Sequence, residues 1–499
     1  MLSVLIWLPL VGAILIWLVP GMWARSIALL ITGVTLFWSL LLLRQFDPSS
    51  LTPQFTELIP WIESLGLTYR LSLDGLSLPL IVLNSLLTLI AIYITDLEIE
   101  RPRFYYGLLL VLYVGVAGAF LADNFLLFFI FYELELIPLY LLIAIWGGAK
   151  RGYAATKFLI YTALSGVFIL GAFLGLVWLT GSTSFDYTPF LGSTLPLFQQ
   201  LILLGGIIIG FGIKIPLVPL HTWLPDAHVE ASTPVSVLLA GVLLKLGTYG
   251  LVRFGLCLFP EAWAVVAPWL AWWAVISAIY GSAIAIAQTD MKKMVAYSSI
   301  SHMGFILLAC AAATPLSISG TVFQMVSHGL ISALLFLAVG VVYKKTGTRD
   351  LTILSGLLNP ERGLPIIGTL MIVGVMASAG MPGMVGFISE FIVFRGSFPV
   401  FPTQTLLTMV ATGLTAVYFL LLVNRAFFGR LTTQALVSPD PDTRVLPTIL
   451  WGERLPGLLL ALLIVVFGLQ PNWVLRWSES TVSTMIHPVA IVGAETTKQ

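Results

Sequence analysis

The chain has 499 residues, 59% of them apolar and only 9% charged, with a net charge of +1 and a mean hydropathy of +1.01. Soluble globular proteins carry about 25% charged residues, so this composition excludes a soluble enzyme and indicates a polytopic membrane protein. No basic tract points to nucleic acid. The two cysteines, Cys257 and Cys310, sit in apolar stretches without a CxxC or Cys/His cluster, which excludes disulfide, zinc and iron–sulfur roles.

One crossing needs about 20 apolar residues. Fourteen spans are expected on that measure, near 2–20, 25–43, 78–97, 104–122, 125–146, 157–180, 200–229, 234–257, 264–287, 293–313, 321–343, 364–396, 403–425 and 453–470. The first, MLSVLIWLPLVGAILIWLVP, lacks a basic leading region and exceeds a signal peptide's apolar stretch, so it is read as a retained span. Segment 44–77 is an extramembrane loop. Within it LTYRLSLDGL (67–76) alternates and ends on Asp74-Gly75, which predicts a small extended element packed on the membrane face. A second polar loop, 426–452, holds SPDPDTR and is expected to be an interfacial connector.

Two spans carry helix breakers. Pro216 and Pro219 follow Lys214 directly in GIKIPLVPLHTWLPDAH (212–228), and Pro382 stands between Gly380 and Gly383 in SAGMPGMVGFISE. Proline removes a ladder hydrogen bond, and carbonyls freed at mid-membrane are tolerated only where protein or water satisfies them. Paired broken helices in corresponding halves mark the transport site of inverted-repeat carriers. The expected fold is therefore all-α, with two inverted five-helix repeats at 104–257 and 258–427, each broken in its fourth helix. Residues 1–103 supply helices 1–3 and the extramembrane loop, and 428–499 supply a connector, helix 14 and a tail.

Sixteen of the 24 Lys and Arg residues fall on one side of this topology and six on the other, which places both termini on the non-cytoplasmic side. Lys214 and Lys245 belong to neither surface. An intramembrane charge costs about 2.5–3.5 kcal/mol on insertion scales, so Glu133, Lys214, Lys245 and Glu390 are candidate functional residues. The alternative is that they only pair to hold helices together. Four charges on four different helices weigh against it. Glu133 and Glu135 lie two residues apart and so face roughly opposite sides of a helix. Glu135 is assigned to a neighbouring subunit or a helix contact, and its role stays open. His302 in AYSSISHMGF and His328 in FQMVSHGL stand among serines, where relay and scaffold roles carry equal weight. His221 and His228, seven apart with no carboxylate-rich box, are expected on a surface-leading polar end, and His487 in a solvated tail. Lys214 can switch between holding and releasing a proton if a carboxylate partner moves or is protonated. Glu133 is the expected partner, Lys245 the next station and Glu390 the last.

These residues resemble a known family, the antiporter-like, proton-translocating membrane subunits of complex I type NAD(P)H/ferredoxin:quinone oxidoreductases, and within it chain 4 (the M or D subunit). The resemblance runs through DGLSLPL, FYELELIPLYLLIAIWGG, YAATKFLIYT, KIPLVPLHTWLPDAHVEASTPVSVLLAGVLLKLGTYGLVRF, YSSISHMGF, SHGL and GFISEF. It implies fourteen helices, with helices 4–8 and 9–13 as inverted repeats. The family's fifth-helix glutamate falls on Glu133, its seventh- and eighth-helix lysines on Lys214 and Lys245, and its twelfth-helix residue on Glu390. Its Trp-Glu is Tyr132-Glu133 here. The resemblance implies no redox cofactor in this chain, with quinone and iron–sulfur clusters in partner subunits, and neighbouring antiporter-like subunits within a lipid bilayer. GGIIIGFG (205–212) lacks the spacing of a dinucleotide fingerprint. ELELIP and YAATKF look like cyanobacterial or plastid versions, which implies a ferredoxin-to-plastoquinone complex of a thylakoid membrane. The chain's length and Tyr132 are similar to the forms associated with CO2 uptake. The alternatives are a subunit of a multisubunit sodium/proton antiporter, or a non-transporting membrane scaffold.

Overall fold

In the computed structural model residues 1–361, 363–431, 446 and 449–496 are described, and most of them are helical, the rest forming one hairpin and the connecting loops. Helices α1 (Ser3–Leu18) and α2 (Gly21–Gln45) precede strands β1 (Gln54–Ile62) and β2 (Leu67–Leu73). Then follow α3 (Leu78–Ile94), α4 (Pro102–Leu121), α5 (Phe125–Leu134), α6 (Leu136–Trp146), α7 (Arg151–Thr180), α8 (Leu197–Lys214), α9 (Trp223–Glu230) and α10 (Thr233–Leu256). The second part holds α11 (Pro260–Ile286), α12 (Met291–Ala312), α13 (Pro315–Thr346), α14 (Pro365–Ser378), α15 (Val385–Ser397), α16 (Pro402–Phe427), α17 (Trp451–Leu469) and α18 (Asn472–Thr496).

Eleven of the described helical segments are long and apolar enough to cross a membrane, α5 and α6 counting as one. Shorter apolar helices (α1, α3 and α14) stand where the other three spans are expected. Burial sorts them. The apolar windows of α10, α12 and α13 are 100%, 94% and 94% buried, whereas those of α2 and α17 are 28% buried. The core therefore sits around α10, α12 and α13, and α2 and α17 turn apolar surface outward, as a bilayer or a partner subunit requires.

Both expected breaks are present. α8 ends on Lys214 and helix resumes only at Trp223, whose indole Nε1 donates to the Ile213 carbonyl at 2.9 Å and so satisfies a group the break frees. α14 ends at Ser378 and α15 begins at Val385, with Gly380 and Gly383 between them at φ +73° and +89°, which glycine adopts without strain. Two distortions were not foreseen. The 125–146 span is interrupted at Glu135, because Pro138 has no N–H to give the Leu134 carbonyl. α10, which has no proline past its first turn, holds π-helical turns at Leu239–Leu243 and Leu251–Leu256. Such turns recur at functional sites.

The extended element at 67–76 is β2, paired antiparallel with β1, a strand the alternation did not reveal. Its Asp74-Gly75 end is a tight junction. Asp74 Oδ1 accepts from the Leu76 and Ser77 amides at 3.1 and 3.0 Å and starts α3. A Cβ on Gly75 would sit 1.9 Å from the Trp477 carbonyl oxygen, so only glycine lets α18 lie this close, with the Gly75 amide donating to Thr481 Oγ1 at 2.9 Å.

Lys292, counted with the surface loops, is buried, and its Nζ donates to the Ala231 carbonyl at 2.5 Å. SPDPDTR, Arg362, Arg444, Lys498 and the side chain of His487 lie outside the described residues.

Candidate functional site

The first buried charge is Lys214. The last residue of α8, it points into protein because the helix stops there. Its Nζ pairs with a carboxylate oxygen of Glu135, and both side chains are sealed, 2% and 0% exposed. The ammonium also lies 4.8 Å from the centroid of the Tyr132 ring. Tyr132 is fixed in turn, its hydroxyl 2.8 Å from Ser165 Oγ, which donates to the Gly210 carbonyl at 2.7 Å.

Here the structure differs from the sequence expectation, which pairs Lys214 with Glu133 and leaves Glu135 to a neighbouring subunit or a helix contact: Lys214 meets Glu135. The interruption at Glu135 resets the helix. Gly115 of α4 backs onto it, where a Cβ would come within 2.9 Å of the Glu135 amide, and the Glu135 side chain turns inward. Glu133 is the half-buried one, with Oε1 against Gly166 of α7 and no hydrogen-bond partner. It remains within electrostatic reach of Lys214.

Lys245 is fully buried on α10. Its Nζ donates to the Ala240 carbonyl at 2.5 Å, five residues back, where the π-helical turn loosens the backbone ladder. The same nitrogen is 2.7 Å from His328 Nδ1 on α13. The rings of His328 and His302 are 5.6 Å apart. His302 Nδ1 lies 2.8 Å from the Ser298 carbonyl, and its Nε2 is 3.5 Å from Glu390 Oε1 and 3.4 Å from the Ser378 carbonyl that the α14 break frees. Glu390 Oε2 accepts from Thr412 Oγ1 at 3.1 Å. Lys245, His328, His302 and Glu390 thus form one seam through four helices. No described hydrogen bond joins Lys214 to Lys245; the helices that carry them meet closely at Gly247 of α10, where a Cβ would lie 3.2 Å from Lys214 Cβ.

Two histidines are misplaced by the sequence expectation. His221 is buried edge-on to Tyr280 at 5.1 Å, and His228 is fully buried and stacked on Phe336 at 4.5 Å, with neither ring nitrogen hydrogen-bonded. α9 folds back into the protein instead of leading to a surface. Among the described residues no group of His, Cys, Asp and Glu could hold a metal.

On the hairpin side, Arg253 near the end of α10 forms a buried ion pair with Asp74, and Arg70 of β2 lies 3.0 Å from Asp123 and 3.7 Å from Asp186. Arg70, Asp74, Asp123 and Arg253 line a cleft of about 320 Å³ with Tyr187, Cys257 and Thr481. Burial pushes the Asp123 carboxyl up to about 6, with Asp74 and Asp186 adding to it against the pull of Arg253 and Arg70. Burial acts on Asp74 too, but Arg253 and the α3 hydrogen bonds outweigh it and hold the carboxyl below its usual range.

Residues 122–415 match the family model described as "NADH:quinone oxidoreductase/Mrp antiporter, TM". The chain is 41% identical over 487 residues to NAD(P)H-quinone oxidoreductase chain 4 2 of Thermosynechococcus vestitus, covering 94% of this chain and 89% of that one. It is 44% identical over 444 residues to chain 4-2 of Synechocystis sp., covering 86% and 78%. A chain of respiratory complex I from Thermus thermophilus superposes with a TM-score of 0.87 at 27% identity, over 99% of this chain and all of that one. A chain of the Mrp complex from Dietzia sp. superposes at 0.85 with 20% identity, over 99% and 98%, a likeness of fold.

Proposed function

We propose that this chain, which belongs to the NADH:quinone oxidoreductase/Mrp antiporter transmembrane family, is the chain 4 type, antiporter-like membrane subunit of a complex I type NAD(P)H-quinone oxidoreductase and moves protons through its buried charges. The observation that carries the proton path is the seam Lys245–His328–His302–Glu390, in which groups able to bind and release a proton follow one another through four helices. Glu133 and Lys214 form the station before it. Electron transfer and quinone reduction belong to partner subunits, which hold the quinone and iron–sulfur clusters. A scaffold would need only helix pairing. The seam spends buried ionisable groups at four places where apolar residues would pack at lower cost.

The identities to cyanobacterial quinone oxidoreductase chains favour this over a sodium/proton antiporter subunit. Location in a thylakoid membrane, with both termini on the non-cytoplasmic side, follows from the source of those relatives and from the sixteen-to-six asymmetry of Lys and Arg. The organisation into two inverted repeats is supported by broken helices at corresponding places in both halves. Tyr132 and the chain's length point to the variant associated with CO2 uptake, which subunit identification in the purified complex would test.

The test of the path is Lys245→Ala in the whole complex. Membrane vesicles should retain the assembled complex and quinone reduction but lose most electron-transfer-driven proton uptake. Uptake at the unmodified rate would overturn the proposal.

A further inference from the structure

The first station contains one lysine and two carboxylates, and only one of the carboxylates is paired. Glu135 is fully buried and bound to Lys214, yet its Oε2 has no hydrogen-bond partner. Glu133 is half-buried, and its Oε1 is also without one. With all three groups charged, the site would carry an uncompensated negative charge inside the membrane, which is costly when no donor or cation answers it. Neutrality needs two protons among the three groups. The Lys214–Glu135 contact accounts for one, on the ammonium. The other belongs on Glu133, the carboxyl without a cation.

Resting on the proton-carrying function argued above, we propose that Glu135 is a proton-carrying residue of this station, the inner member of a relay Glu133–Lys214–Glu135. In the first step an Nζ–H bond of Lys214 breaks and an O–H bond forms on Glu135, leaving a neutral amine and a carboxylic acid. In the second step the O–H bond of Glu133 breaks and the amine takes that proton, restoring the ammonium and leaving Glu133 as its carboxylate. One proton has moved from the half-buried side of the helix to the sealed side, and the charge of the trio is unchanged. Lys214 is suited to this because the end of α8 leaves its side chain on Glu135 and within electrostatic reach of Glu133. The interruption at Glu135, set by Pro138, lets residues two apart serve one lysine, which a continuous helix forbids.

The experiment uses the whole complex in membrane vesicles, with Glu135→Gln, Glu135→Asp and Lys214→Ala compared for assembly, quinone reduction, proton uptake and the pH profile of uptake. A positioned proton-transfer group contributes on the order of a hundredfold, so Glu135→Gln should lower uptake at least about tenfold. Glu135→Asp should restore part of it with a displaced pH profile. Uptake and pH profile unchanged in Glu135→Gln, with Lys214→Ala inactive, would overturn this inference alone. Normal uptake in Lys214→Ala would overturn the proton path beneath it. If Glu135→Gln does not assemble, Glu135→Asp decides: a displaced profile supports the relay and an unchanged one refutes it.

Discussion

Asp74 does two things at once, and two substitutions separate them. Its Oδ1 accepts the Leu76 and Ser77 amides at 3.1 and 3.0 Å, and its Oδ2 meets the buried guanidinium of Arg253. Asp74→Asn keeps a side-chain oxygen for the amides and removes only the charge, stranding Arg253. Breaking a buried pair from one side costs about 3–5 kcal/mol. Asp123 also faces Arg253 and returns part of that, so a loss near 3 kcal/mol is expected, the low end of that range. Asp74→Ala also loses the two amide hydrogen bonds in the turn ahead of α3, about 1 kcal/mol more. Removing both charges, as in Asp74→Asn/Arg253→Leu, should recover part of the loss, because no buried charge is then left unpaired. Equilibrium denaturation of the purified complex in mixed micelles, followed through this chain, measures the series. The reasoning is refuted if Asp74→Asn matches the unmodified chain, or if the double variant is weaker than Asp74→Asn alone.

Two further predictions concern the same face. Asp123 is held up to about 6, so its proton adds stability that is complete below the ordinary carboxylate range near 4 and is lost as pH rises through 6. Asp123→Asn should flatten that part of the stability profile between pH 4 and pH 6, while the opposite trend from Asp74, whose stabilisation is lost on acidification, persists. Gly75→Ala would drive a methyl into the Trp477 carbonyl and should cost about 1–3 kcal/mol as an overpacking change. Faster proteolysis of α18, with α3 unaffected, would report it.

What was legible in the sequence follows from the chemistry of each signal. Long apolar runs, prolines behind Lys214 and glycines around Pro382 act locally, and the helices run and break where those residues dictate. The buried charges were legible because little else explains an ionisable group in an apolar run. Pairing was not. Whether Glu133 or Glu135 meets Lys214 depends on a helix reset by Pro138 and on how closely Gly115 admits α4, both properties of packing. The π-helical turns of α10 have no proline to announce them. His228 and Lys292 look like loop residues by position and are core residues by fold, because α9 turns inward.

The seam has one more consequence. Lys245 lies on α10 and the rest of the seam on α12, α13 and α15, and the Lys245–His328 contact joins the first half of the chain to the second. Beside that stitch, Gly241 and Gly329 bring the backbones of α10 and α13 together so closely that a Cβ on Gly329 would come within 2.8 Å of the Gly241 carbonyl. At such a crossing a hydrated cation has no room between the two backbones. A proton needs no doorway, only rotating side chains and shifting bonds.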